Sequence, residues 1–189
     1  KRAENLVSGV KGSPRDVVTK LDEEIENRAA QILKASGYQI IGEEMVWKKN
    51  LRIDASKPIW LVDPIDGTTN LISGVPFYAV SVGLLADFHF VIGAVAIAPQ
   101  KEMFFTMGNQ GSFLNGRVLK RVQPVRLSQS LVAASFSGNN PDQRQRKQEY
   151  ELFGIINDKS RGCLRLGSAA TNICFVAAGR IEANIYGRL

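Results

Sequence analysis

Two aspartates stand three residues apart in the stretch WLVDPIDGTTN. The preceding run PIWLV is apolar on both sides and predicts a central strand, so Asp63 lies at its carboxyl end and Asp66 follows after a tight turn. Glu43 comes directly after another short strand pattern, YQIIG. We therefore expect three carboxylates at strand ends.

Carboxylates brought close together repel each other, and one of them keeps a raised pKa unless a cation lies between them. Oxygen ligands of this kind select Mg²⁺, Mn²⁺ or Ca²⁺ rather than zinc. Pro64 restricts the turn and could direct the Ile65 carbonyl toward a cation held by Asp63. The pattern predicts a mixed carboxylate and carbonyl metal site.

The next residues, Gly67-Thr68-Thr69, are suited to the start of a helix whose free N–H groups bind an anion. Glycine permits close approach, and threonine adds a hydroxyl. A metal pair beside a phosphate-binding loop is typical of phosphoryl transfer. The alternative is an ordinary turn, because Asp-Pro and Asp-Gly pairs are common in loops.

The first element that positions these residues is an amphipathic helix, which the periodicity predicts from Asp16 to Ser36. Thr19 and Asp22 have the spacing of a capping box, and Gly37 is placed to end the helix. Its apolar face would consist of Leu21, Ile25, Ile32 and Leu33.

After Asn70, the runs FYAVSVGLLAD, FHFVIGAVAIAP, EMFFTMGN and GSFLNG are rich in β-formers and closely spaced, which predicts hairpins in an antiparallel sheet. An amphipathic helix from about Gln143 to Asn157, a short helix over AATNICFVAA and a final strand, IEANIY, follow. The fold class is α+β, with helices packed on a largely antiparallel sheet in one domain over residues 1–189.

The 189 residues are 44% apolar and 22% charged, which suits one globular domain with a real core. The net charge of +6 suits an anionic partner. The basic residues are scattered and not interleaved with aromatics, which favours a solvated surface over nucleic-acid binding. No run approaches a membrane span of about 18 apolar residues and no signal-peptide pattern occurs, so we expect a cytoplasmic protein.

Other residues with possible chemistry are better explained as structural. His89, the only histidine, fits packing at a sheet edge and not catalysis. Gly108 and Gly111 lie between strand patterns and predict a hairpin turn instead of a phosphate loop. Cys163 and Cys174 are too few for a disulfide framework, so we expect both to be reduced.

The string VDPIDGTTN, with IGEE upstream and GSAATNICFVAAGR downstream, resembles the inositol monophosphatase family of magnesium-dependent, lithium-sensitive phosphatases. The resemblance implies a layered α/β sandwich, a homodimer and a Mg²⁺-dependent phosphomonoesterase. Inositol monophosphate, or a related small polyol or sugar phosphate, would be its substrate. Relatives that cleave histidinol phosphate, fructose bisphosphate or phosphoadenosine nucleotides, and a non-catalytic metal-binding regulatory relative, remain alternatives.

Carried onto this sequence, the resemblance implies that Glu43, Asp63 and the Ile65 carbonyl hold one Mg²⁺, and that Asp63 and Asp66 contribute to a second. Thr68 with Glu43 would orient the attacking water.

The resemblance also implies roles around the metals. Gly67 and Thr68 would bind the phosphate. Asp22 would support the catalytic group from behind the metal ligands. Glu43, Asp66 and Ala169 would contact the substrate, with Ala169 touching its alcohol part.

This sequence departs from the family pattern in three places. Leu71 stands where the family has phenylalanine. Ile185 and Tyr186 fall near the place of an acidic residue that often contacts inositol hydroxyls. The aspartate of the family's WD motif, a ligand of the second metal, has no counterpart before Leu189, so we expect the working enzyme to extend beyond the sequence at both ends.

Overall fold

A seven-stranded mixed sheet dominates the computed structural model, which describes residues 7–10, 17–48, 53–54, 56–136 and 142–187. The strands lie in chain order; the first two are parallel, and each later neighbouring pair is antiparallel. Their bounds are Gln39–Gly42 (β3), Ile59–Asp66 (β4), Ala79–Ala86 (β5), His89–Ile97 (β6), Glu102–Met107 (β7), Ser112–Leu114 (β8) and Arg117–Val118 (β9). The antiparallel hairpins are confirmed, and β4 is an interior strand that pairs with β3 on one side and β5 on the other.

The turns of this sheet follow from their residues. Asp87 and Phe88 have φ angles of 49° and 62° and join β5 to β6, as a two-residue hairpin turn with both central residues left-handed requires. Gly108 and Gly111, with φ of 46° and 90°, lie between β7 and β8, so the prediction of a hairpin turn is confirmed. His89 begins β6 and is exposed.

A second sheet has three parallel strands in the order β11-β10-β12: Leu131–Ser135 (β10), Gly162–Leu164 (β11) and Ala183–Tyr186 (β12). Helix α4, Gln143–Lys159, connects β10 to β11, and α5, Ala169–Ala177, connects β11 to β12. Sequence analysis predicted both helices and β12, but missed β10 and β11. These strands are short and apolar without alternation, as buried parallel strands are.

The first helix begins later in the chain than predicted. Val17–Thr19 (β2) pairs with Val7–Val10 (β1), so α1 spans Lys20–Leu33, and Asp16 lies outside the described residues. Helix α1 is followed by a 3₁₀ turn that ends at Gly37, whose φ is 72°. The predicted apolar face was wrong at Ile32, which is 63% exposed.

Two short helices follow the parallel strands β3 and β4 at the same edge of the sheet. Helix α2, Glu43–Lys48, follows β3, and α3, Thr68–Ser73, follows β4. Helix α1 packs on β4, and α5 contacts both the large sheet and β12. The α+β layered architecture is confirmed, and no helix in the described residues is long and apolar enough to cross a membrane.

Candidate active site

Glu43 and Asp63 follow paired positions on the two parallel strands. Gly42 of β3 is the register partner of Val62 of β4, so the next residue on each strand comes to the same edge of the sheet. Both acidic residues line a cavity of about 730 Å³. The structure thus brings together two of the predicted metal ligands.

Asp63 and Asp66 are separated by an irregularity in β4. Asp63 pairs with Ser81 and Asp66 with Ala79, so two residues of β4 lie opposite one residue of β5. The strand continues through Asp66, which corrects the predicted tight turn before it. Extra residues of this kind kink a strand and redirect side chains, often beside active sites.

The carboxylate of Asp66 is held by the start of α5. Its Oδ2 accepts hydrogen bonds from Ser168 Oγ and from the Ala170 main-chain N–H, both at 2.6 Å. Sequence analysis gave Ser168 no role, although a serine before the apolar helix AATNICFVA is a recognisable N-cap. The contact joins the end of β4 to the start of α5.

Gly67 and Thr68 begin α3. Gly67 has φ 101°, and a β-carbon there would lie 2.9 Å from the Phe77 carbonyl oxygen and 3.3 Å from that of Gly167. Only glycine fits without strain. Thr68 Oγ1 donates to the Ile65 carbonyl oxygen at 3.0 Å, so its own oxygen keeps lone pairs that can accept a hydrogen bond.

Asn70, in α3, joins the segment after this helix to the loop before α5, and it was not among the predicted site residues. Its Nδ2 donates to the Phe77 carbonyl at 2.6 Å and to the Leu166 carbonyl at 2.7 Å. Gly167 has φ 79°, and a β-carbon there would lie 2.9 Å from Asn70 Nδ2. The segment around Asp66 is therefore fixed by the Asn70 side chain, which binds two main-chain carbonyls, as well as by Ser168 and Ala170.

Asp22 forms the predicted capping box. Its Oδ2 accepts from Thr19 N at 2.7 Å and from Thr19 Oγ1 at 2.6 Å, and its own N–H donates to Thr19 Oγ1. Asp22 is 3% exposed, and β2 packs on α3. The cap is confirmed, while the catalytic support role stays a prediction.

Ala169, the predicted contact to the alcohol, is the first residue of α5. Its carbonyl accepts from the Tyr186 hydroxyl at 3.4 Å. Burial raises the pKa of Tyr186, and the nearby charge of Asp66 adds to this, so the phenol is neutral at ordinary pH. Tyr186 presents a neutral hydroxyl close to Asp66.

A metal ion at this edge of the sheet would be held by oxygen donors. Among the residues that the structure describes, no three histidine, cysteine, aspartate or glutamate side chains lie close enough together to hold a metal. Mg²⁺ commonly binds through one or two carboxylates, completing its shell with water and substrate phosphate. The oxygen donors of Asp63 and Asp66 fit this pattern.

Most of the cavity beside Glu43 and Asp63 is apolar. Its wall consists of residues of β3 to β8 and of α5, including Ile173 and Cys174. Burial raises the pKa of the Cys174 thiol to about 12, so this cysteine is a thiol at neutral pH, as expected for a core residue.

A sequence model of the inositol monophosphatase family matches residues 1–188. The chain belongs to this family. Inositol monophosphatase 1 from Sus scrofa is 31% identical over 176 residues, which cover 92% of this chain and 64% of that protein. The chain thus spans less than two thirds of the length of the curated inositol monophosphatases it matches.

Solved structures of the inositol monophosphatase fold superpose closely. The extragenic suppressor protein SuhB from Bartonella henselae has a TM-score of 0.78 at 28% identity, with 92% of this chain and 65% of that chain covered. An IMPase/NADP phosphatase solved with Mg²⁺ and phosphate has a TM-score of 0.77 at 23% identity, with 94% and 64% covered, and shows the common fold.

Proposed function

We propose that this member of the inositol monophosphatase family is a Mg²⁺-dependent phosphomonoesterase of small polyol or sugar phosphates, with inositol monophosphate the first candidate. The observation that carries the proposal is the Asp66 carboxylate, which two hydrogen bonds hold in place. Gly67 and Thr68 follow it in the chain, and the irregularity in β4 separates it from Asp63. Acidic oxygen donors thus adjoin a helix start that suits a phosphate group.

Glu43, Asp63 and the Ile65 carbonyl would hold one Mg²⁺, and Asp63 and Asp66 would contribute to a second. Bound Mg²⁺ would polarise the phosphoryl oxygens and lower the pKa of a coordinated water. Gly67 and Thr68 would bind the phosphate, and Thr68 with Glu43 would orient the attacking water. The Thr68 oxygen can accept a hydrogen bond from that water, because its proton is committed to the Ile65 carbonyl.

Asp22 would keep the start of α1 in place behind this loop, and Ala169 would meet the alcohol part of the substrate. We further propose a cytoplasmic homodimer whose partner is this phosphorylated substrate, with neither nucleic acid nor membrane bound. The +6 charge favours an anionic ligand, which fits a phosphate ester.

The test is a panel of phosphate esters at fixed Mg²⁺: inositol monophosphate, histidinol phosphate, fructose bisphosphate and a phosphoadenosine nucleotide. Turnover of one ester, lost in Asp63→Asn, is expected, because the amide lacks the charge that the cation needs. His89→Ala is the matched control, since His89 is exposed on β6 and should leave the rate unchanged.

Near-normal turnover by Asp63→Asn would contradict the metal assignment. Mg²⁺ binding without turnover of any ester would favour the non-catalytic relative.

A further inference from the structure

We propose that Ser168 is a positioning residue, which holds Asp66 through Oδ2 and so presents Oδ1 to the cation. The inference rests on the proposed function, because it concerns how the same carboxylate is oriented for Mg²⁺.

Only one of the two carboxylate oxygens of Asp66 accepts hydrogen bonds from the described residues. Both of its hydrogen bonds go to Oδ2, from Ser168 Oγ and from Ala170 N, while Oδ1 accepts none from the described residues. A carboxylate oxygen that already accepts two hydrogen bonds is a poor metal ligand compared with its open partner. The geometry therefore selects Oδ1 as the atom that meets the cation.

Ser168 is itself held in one orientation. It is 2% exposed, and its Oγ accepts from Thr171 N at 3.3 Å and lies 2.7 Å from Thr171 Oγ1. A serine hydroxyl has one proton, and the Asp66 carboxylate can only accept, so that proton points to Asp66 and the Thr171 hydroxyl donates to Ser168. Thr171 is fully buried, so water does not compete for the hydrogen bonds that link Thr171, Ser168 and Asp66.

A simple helix cap is the competing explanation, because Ser168 is also the N-cap of α5. Glycine distinguishes the two roles. Glycine replaces a serine N-cap with little loss of stability, but it removes the hydroxyl that donates to Asp66. A positioning role predicts a functional loss in Ser168→Gly that a cap alone does not.

The experiment measures Mg²⁺ binding by isothermal titration calorimetry and kcat/KM on the ester that the panel identifies, together with the thermal midpoint. Ser168→Gly is expected to raise the Kd for Mg²⁺ and to lower kcat/KM by about 10- to 100-fold, the range for a hydrogen bond to a charged group. Ser168→Thr keeps the cap and the donor and should restore both within about threefold.

Asp142→Gly is the matched control, since Asp142 caps α4 by accepting from the N–H groups of Arg144 and Gln145. Asp142→Gly should change neither the Kd for Mg²⁺ nor kcat/KM. An unchanged Kd for Mg²⁺ in Ser168→Gly, or an equal loss in Asp142→Gly, would overturn the inference.

A failure of the proposed function would give a different experimental result from a failure of this inference. A wild-type protein that binds Mg²⁺ but cleaves no ester overturns the phosphatase proposal, while the Kd comparison still decides the role of Ser168. A wild-type protein that binds no Mg²⁺ overturns the inference itself.

Discussion

The carboxylate of Glu26 occupies the space that a side chain at Gly42 would need: a β-carbon there would lie 1.6 Å from Glu26 Oε1. Glu26 is 4% exposed, and its Oε1 accepts from the Met45 N–H in the first turn of α2. Helix α1 thereby fixes the helix that begins with Glu43.

Gly42→Ala should therefore lower the free energy of unfolding by about 1–3 kcal/mol, because Glu26 must move and lose its bond to Met45. Phosphatase activity should fall with it, since Glu43 moves with α2. Urea unfolding measures the first effect, with Gly154→Ala as the control. Gly154 lies in α4 with open space around it, so alanine should stabilise that helix slightly.

The direct test of the clash is the double variant Gly42→Ala/Glu26→Ala. Removing the glutamate makes room for the new methyl group, so the double variant should be less destabilised than the sum of the single variants. Strict additivity would show that the two residues do not compete for this space.

Gly67→Ala should destabilise the protein by about 1–3 kcal/mol through its left-handed backbone, and further through the contact of the new β-carbon with the Phe77 carbonyl. Gly111→Ala is the matched control, because Gly111 is also left-handed, at φ 90°, but has no neighbour within 4 Å. Urea titration should show the larger loss for Gly67→Ala. Equal losses would mean that the close approach to Phe77 is unimportant.

The pair Arg180–Glu102 should make stability depend on pH. Hydrogen bonds from Arg180, one of them 2.7 Å long, hold the pKa of Glu102 below its ordinary value of 4.5. A lowered pKa in the folded state stabilises the protein above the unfolded pKa, and this stabilisation is lost as the pH falls from about 4.5 through the lowered value.

Glu102→Gln should therefore flatten the acid limb of the unfolding free energy against pH. The change should stay below about 1 kcal/mol, because Arg180 is 36% exposed and water screens the pair. Glu151→Gln, in an exposed pair with Lys147, is the control and should have little effect. An unchanged acid limb in Glu102→Gln would assign the pH dependence to other carboxylates.

Lithium provides a prediction that follows from the family. Li⁺ should replace the more weakly held Mg²⁺ at Asp63 and Asp66 and trap product, so inhibition of ester hydrolysis should be uncompetitive with substrate. Steady-state rates at millimolar LiCl, with NaCl at equal ionic strength as the control, measure the effect. Good activity with no response to Li⁺ would align this protein with lithium-tolerant relatives.

The large sheet could be predicted from sequence because its hairpins are local and its strands carry clear β-patterns. The three-stranded parallel sheet was missed in part because LVAAS and GCL are too short to show a period. Helix α2 was missed because it starts at Glu43 directly after β3, and the residue before it, Gly42, has no side chain that could mark an N-cap.

The candidate site, like the fold, could be predicted from the sequence only in part. Its acidic residues and its glycine could be found, because the DPIDGTT block is contiguous in sequence. The roles of Ser168 and Asn70 could not, because Ser168 binds Asp66 and Asn70 binds Leu166 across about 100 positions, and only the folded chain shows these pairings.

That separation also dictates when the site can assemble. Asp66 and Ser168 are 102 residues apart, whereas β5 and β6 form a hairpin across a two-residue turn. At about 5–20 residues per second, the ribosome adds those residues in roughly 5–20 seconds, far longer than a hairpin needs to form. The nascent chain therefore has time to form the β4 to β6 hairpins before α5 is made, whereas Asp66 can meet Ser168 and Ala170 only after that.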